Sequence, residues 1–136
     1  MSSQLIDPAT QPTMSFDWGL IKPLVAGVSA NVSLMHVVIG PGRGHDRHNH
    51  PDADEILYVL SGAGEQMVDD TRTFAVHAGH TVWIPRGAYH STLNIGWEPL
   101  TLLAIYAPGG AEEVLKTLPD YGEIPAGEAP PLVRGR

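Results

Sequence analysis

Two histidines, His48 and His50, stand two residues apart, and a carboxylate, Glu55, follows ahead of the apolar run Ile56-Leu-Tyr-Val-Leu60. On a β-strand, residues i and i+2 share a face. That parity predicts that both imidazoles aim at one point. Glu55, opening the next strand, can aim a carboxylate at the same point. Two imidazoles and a carboxylate that converge with positions left open suit a divalent transition metal. Asp52 and Asp54 are the alternative acids, but they fall in the loop before that strand, where acids are usually solvated.

The elements that must hold such a site read as β-strands. Gly 15 and Pro 12 in 136 residues give many turns and short segments, which favours an all-β architecture over a helix bundle. Residues 1–15 read as a polar arm, residues 16–118 as one domain, and residues 119–136 as a Pro/Gly-rich tail whose last few residues are expected to be disordered. Residues 16–25, interrupted by Gly19 and Pro23, read as one short edge strand. Residues 32–39 and 100–106 read as strands with buried centres. Residues 65–68 and 71–76 read as a hairpin across Asp69 and Asp70. Residues 111–118 read as the one helix, with Glu112 and Glu113 in its first turn, Lys116 nearer its end and Pro119 to stop it.

Composition excludes several functions. The formal charge of −7 at pH 7 argues against nucleic acid and anionic membrane as partners, which need a basic patch. With no cysteine, disulfides, thiolate metal sites and a cysteine nucleophile are ruled out. Residues 1–17 carry no basic and apolar leader pattern, no apolar run approaches the roughly 20 residues of a membrane span, and a cytoplasmic home is expected. The glycine-rich stretch Gly40-Pro-Gly-Arg-Gly44 lacks phosphate-loop spacing.

A second motif follows the first. The first is Gly42-x5-His48-x-His50-x4-Glu55-x6-Gly62, and the second is Gly79-x5-Pro85-x-Gly87-x2-His90-x3-Asn94. Together, in this order and at these spacings, they resemble the two motifs of the cupin superfamily. The resemblance implies an all-β, double-stranded β-helix or jelly-roll barrel with one short C-terminal helix. It also implies one divalent transition metal per chain, held by His48, His50, Glu55 and His90. Three histidines and a carboxylate suit Fe, Mn, Ni, Co, Cu or Zn. Four protein ligands would leave two positions of an octahedron open.

Strand parity suggests the pocket walls. Leu57 and Val59 share the face of Glu55, Thr92 shares that of His90, and Tyr58 faces the other way. Trp83 and Tyr106 are expected in core packing. Among the other histidines, His36 is read as partly buried in an apolar strand, and His77 and His80 as solvated turn residues. His45 and Asp46 are read as loop or rim residues, although Asp46 shares the parity of His48.

Two functional readings follow, and the enzyme is favoured. It is a metal-dependent enzyme acting on a small organic molecule, either a dioxygenase or a Lewis-acid lyase, isomerase, cyclase or decarboxylase. Glu55 is then also the candidate catalytic base, should it detach from the metal. The alternative is a non-catalytic cupin that binds a sugar or metabolite. A structural metal is the third and blandest possibility. A homodimer is expected from the family tendency and from apolar strand edges that need covering.

Overall fold

A computed structural model describes residues 2–131. The expectation of a disordered chain end falls largely on residues 132–136, outside the described residues. Eleven strands run in chain order: β1 Thr13–Phe16, β2 Gly19–Val25, β3 Ser33–Ile39, β4 Gly44–His48, β5 Asp54–Ser61, β6 Ala63–Val68, β7 Arg72–His77, β8 Thr81–Ile84, β9 His90–Leu93, β10 Leu100–Ala107 and β11 Gly122–Ile124. They form two antiparallel sheets. The larger has the order β11-β1-β2-β3-β10-β5-β8, and the smaller β4-β9-β6-β7. The chain is therefore all-β, as expected, with its two sheets facing each other across one core. Among the described residues no helix is long and apolar enough to cross a membrane.

The sequence makes this layering. Val, Ile, Leu and Thr dominate β3 and β10, and such side chains fit a pleated surface. Both strands alternate between buried and half-buried positions, up to the exposed Ala107 that ends β10. Met35, Val37 and Ile39 of β3 and Leu100, Leu102 and Ala104 of β10 all face inward. They meet Leu57, Val59 and Ile84 in the same cluster. Burying a side chain of this size contributes about 1.5–3 kcal/mol.

Residues 16–25, read as one edge strand, are instead the junction of a hairpin. Phe16 ends β1, Asp17 and Trp18 turn the chain, and β2 begins at Gly19. β2 is not an edge, because it lies between β1 and β3. Gly19 permits this packing. A Cβ there would run into the Val38 carbonyl oxygen of β3. β1 in turn pairs with β11, Thr13 opposite Ile124.

The hairpin across Asp69 and Asp70 forms as read. Val68 faces Arg72, and both aspartates take positive φ, 61° and 59°. The run Ala111–Thr117 is helical, but of the tighter 3-10 type. Its N-cap, Gly110, is left-handed and offers no side-chain cap, and Pro119 follows closely. A run this short gains little from α-helical propagation. A second 3-10 turn spans Pro8–Thr10.

Candidate metal centre

The first motif does its positioning through an end and a bulge rather than through one straight strand. β4 ends at His48, so His50 lies beyond it, in a turn followed by Pro51. Simple i, i+2 parity therefore does not relate the two rings. They still converge, with centroids 5.0 Å apart and planes 77° apart. Upstream, the pairing of β4 with β9 slips. His45 faces Thr92, and His48 faces His90. Three steps on one strand match two on the other, which is a β-bulge. The bulge turns both His45 and His48 inward and leaves Asp46 and Arg47 exposed. This corrects the rim position expected for His45. It also breaks the parity that linked Asp46 with His48.

Glu55 stands on β5 and His90 opens β9. One potential ligand atom from each of His48, His50, Glu55 and His90 lies within 4.8 Å of all the others. His50, Glu55 and His90 are buried at 5%, 4% and 2% exposure. Glu55 Oε1 is 2.8 Å from His90 Nε2 and 3.4 Å from His50 Nε2. These atoms are close but not aligned as hydrogen bonds. His50 Nε2, Glu55 Oε1 and His90 Nε2 have no hydrogen-bond partner among the described residues. Buried polar atoms left this way cost roughly 1–3 kcal/mol each, and a shared cation would satisfy all three.

The outward nitrogens are held by backbone. His48 Nδ1 is 2.6 Å from the Asp46 carbonyl oxygen, and His90 Nδ1 is 3.0 Å from that of Ala88. A carbonyl only accepts, so each Nδ1 carries the hydrogen. Each Nε2 is then left with its lone pair toward the cluster, the arrangement that prepares an imidazole to bind a metal.

The electrostatics favour a neutral His48 and an ionised Glu55, and draw His90 the other way, toward its protonated form. Burial, helped by repulsion from His45 and His90, lowers His48 to about 3. Burial likewise lowers His45 to about 4. Burial works to raise Glu55, yet the neighbouring histidines outweigh it and hold the carboxylate at about 2. Burial works to lower His90, but the Glu55 carboxylate beside it raises it.

The cluster opens onto the space between the sheets. Ile21, Val37, Ile39, Leu57, Leu102 and Ala104 wall a cavity of about 30 Å³. Thr92 and Tyr106 join them. Leu57 and Thr92 are thus where parity placed them, Val59 is buried in the core, and Tyr58 is exposed. Thr92 Oγ1 donates to Gln66 Oε1 at 2.6 Å. Tyr106, expected in the core, lies edge-on to His50 with centroids 4.9 Å apart. Burial and the nearby Glu55 and Glu112 carboxylates raise its phenol well above the usual range. Trp83, also expected in the core, is 58% exposed on β8, because outward positions of that strand face solvent.

Sequence reasoning missed Trp18. It lines the cavity and stacks between Phe16 (5.1 Å) and His45 (4.8 Å), and His45 in turn stacks on His48 (3.9 Å). The available signal was a lone tryptophan in a turn between two apolar runs.

The remaining candidates stay outside. Asp52 is exposed. Asp54 accepts from Arg86 N (3.0 Å) and faces its guanidinium. His77 and His80 lie against each other at the surface, their rings tilted by 37°. His36 is half-buried on the outer face of β3. Asn94 of the second motif is buried but structural. It donates to the carbonyls of Ile39 and Glu98 and accepts from Gly96 N.

Known proteins resemble this chain in sequence and fold. Oxalate decarboxylase OxdC of Bacillus subtilis is 34% identical over 83 residues, which cover 58% of this chain and 22% of that enzyme. The chain thus spans only about a fifth of the enzyme's length. An uncharacterised protein of Methanocaldococcus jannaschii is 33% identical over 108 residues, covering 76% of this chain and 84% of that protein. An oxalate decarboxylase structure superposes with a TM-score of 0.65 at 28% identity, over 71% of this chain and 27% of that one. A Thermotoga maritima protein, described as a predicted oxalate decarboxylase, superposes with a TM-score of 0.69 at 19% identity. That match covers 77% of this chain and 99% of the other, and it speaks to fold alone. Residues 35–106 match the family model described as the cupin domain, more than half of the chain, and with both motifs on the facing sheets this protein belongs to the cupin family.

Proposed function

We propose that this protein is a metal-dependent enzyme acting on a small organic molecule, with His48, His50, Glu55 and His90 holding one divalent transition metal. The observation that carries this reading is the set of three buried, unpartnered polar atoms, on His50, Glu55 and His90, converging with His48 in one cluster. Three imidazoles and one carboxylate suit Fe, Mn, Ni, Co, Cu or Zn. The Mn(II) centres of the B. subtilis oxalate decarboxylase make manganese the first metal to test. When bound, such a metal supplies Lewis-acid polarisation of a chelated oxygen or, as a redox-active ion, dioxygen chemistry.

The chain's own residues set the rest. The carbonyls of Asp46 and Ala88 fix the tautomers of His48 and His90. Glu55, held as an anion, would ligate the metal, and it is also the candidate base should it detach. The apolar walls exclude bulk water, which strengthens every polar contact inside. A homodimer belongs to the same reading. Ile56, Tyr58 and Leu60 of β5 and Trp83 of β8 turn apolar surface outward, and a second copy laid on that face would cover it. Light scattering during gel filtration should then give twice the monomer mass.

The enzyme reading is tested on protein purified without added metal. Mass spectrometry should find one metal ion per chain. Oxygen uptake with diketones, flavonols and catechols, and carbon dioxide release from small carboxylic acids, should then reveal a turnover that metal removal abolishes. Metal-loaded protein that returns every compound unchanged would make it a binding protein instead.

A further inference from the structure

Trp18 lines the space into which the metal cluster opens and is itself only 9% exposed. The other large walls differ in kind. Ile21, Val37, Leu57 and Leu102 stand on strands of the packed sheet, whereas Trp18 stands on the β1–β2 turn. The turn is tied down on three sides. Gly40 N donates to the Trp18 carbonyl (3.0 Å), Arg43 Nη1 donates to the Asp17 carbonyl (3.1 Å), and Asp17 N donates to Asp120 Oδ2 (3.0 Å). The ring itself is clamped between Phe16 and His45, nearly parallel to both, at 6° and 17°. The position of the indole is therefore built into the fold.

With the indole there, the cavity measures about 30 Å³. A cavity needs about 10–15 Å³ of such volume to hold one water, so the space beside the cluster admits two or three waters, or a ligand of similar bulk.

We propose that Trp18 sets the size of the ligand that reaches the four-residue centre. Dioxygen, azide and formate fit beside it. A chelating diacid such as oxalate is kept out until the indole is cut back. This inference rests on the metal reading above, and it names the ligand class of that same site as the smallest oxygen and carboxylate ligands. It also separates this chain from the decarboxylase it resembles.

The test uses the whole chain loaded with cobalt(II), whose visible absorption bands report the ligands around it without any turnover. Wild type, Trp18→Ala and Trp18→Phe are titrated with azide, formate and oxalate, and protein-bound cobalt is counted after gel filtration. Azide and formate should shift the bands of the wild type, and oxalate should not. In Trp18→Ala oxalate should bind at least about tenfold more tightly than in wild type, a difference of about 1.4 kcal/mol, while azide affinity stays close to that of wild type. Trp18→Phe keeps a ring against Phe16 and His45, so it guards against a variant that fails to fold, and its gain should fall between the two. Equal oxalate affinity in wild type and in the folded variants overturns the size limit. Wild type that takes up no cobalt strikes the metal reading itself, an outcome distinct from the first.

Discussion

His48 and His90 approach the cluster with Nδ1 already engaged by the carbonyls of Asp46 and Ala88. Each ring is therefore oriented by the chain two residues before it. Ligand loss should act on the metal first. His48→Ala and Glu55→Ala are expected to release the metal while the β fold persists, read as metal content by mass spectrometry beside circular dichroism. Their thermal midpoints should fall to that of the chelated wild type, since a ligand present at 100 times its Kd stabilises by about 2.7 kcal/mol. Thr92 offers a different kind of test. Thr92→Val removes the donor to Gln66 Oε1 and leaves that oxygen buried. The expected cost is about 1–3 kcal/mol in urea unfolding, with metal content unchanged. A larger effect on metal than on stability would place Thr92 in the cluster's support rather than in the core.

At the scale of elements, spacing made the four candidate ligands legible, because both motifs keep their register. Strand parity did less well. It placed Leu57, Thr92 and Tyr58, but it failed at β4, where an unpaired extra residue is invisible in a pattern of alternating types. The same limit hid Trp18. Its one local mark is a lone tryptophan between two apolar runs, and only the β1–β2 hairpin carries it to a site built from residues 48–90. Residues 16–25 misled for a related reason. The turn at Asp17 and Trp18 is too short to stand out, and Gly19 and Pro23 read as breaks within one edge strand rather than as parts of a paired one. Gly19 is the residue on which that hairpin depends. Gly19→Ala drives a methyl into the Val38 carbonyl, where backbone cannot yield as a side chain can. Overpacking of this kind costs about 1–3 kcal/mol. Chemical denaturation should show it, together with tighter oxalate binding at the cobalt centre as the Trp18 turn shifts.

The whole molecule should respond to acid in a defined direction when metal-free. In the unfolded chain His45 and His48 take protons near 6.5, but in the folded chain only near 4 and 3. Between those values the unfolded state binds more protons, so stability falls as the pH drops from about 6.5 toward 4. Glu55 acts in the same sense at lower pH. Its contribution is present above 4.5 and is lost as the pH falls toward about 2. His90, raised by Glu55, works in the opposite sense. Its contribution is present below 6.5 and is lost as the pH rises through its folded value. Urea midpoints of the chelated protein from pH 7.5 to 5 should therefore decline on acidification, and a flat profile would mean that His45 and His48 take up protons without unfolding. A last consequence lies in the pairing of Thr13 with Ile124. Strands from opposite ends of the described chain lie side by side, so the backbone can be read as a ring left open at that seam. A short glycine-serine linker across the seam, with new termini cut at the exposed Asp69–Asp70 turn, should give a circular permutant that keeps both sheets and the four-residue cluster. Its order of translation would begin at β7, and the two motifs would then be made in reverse order.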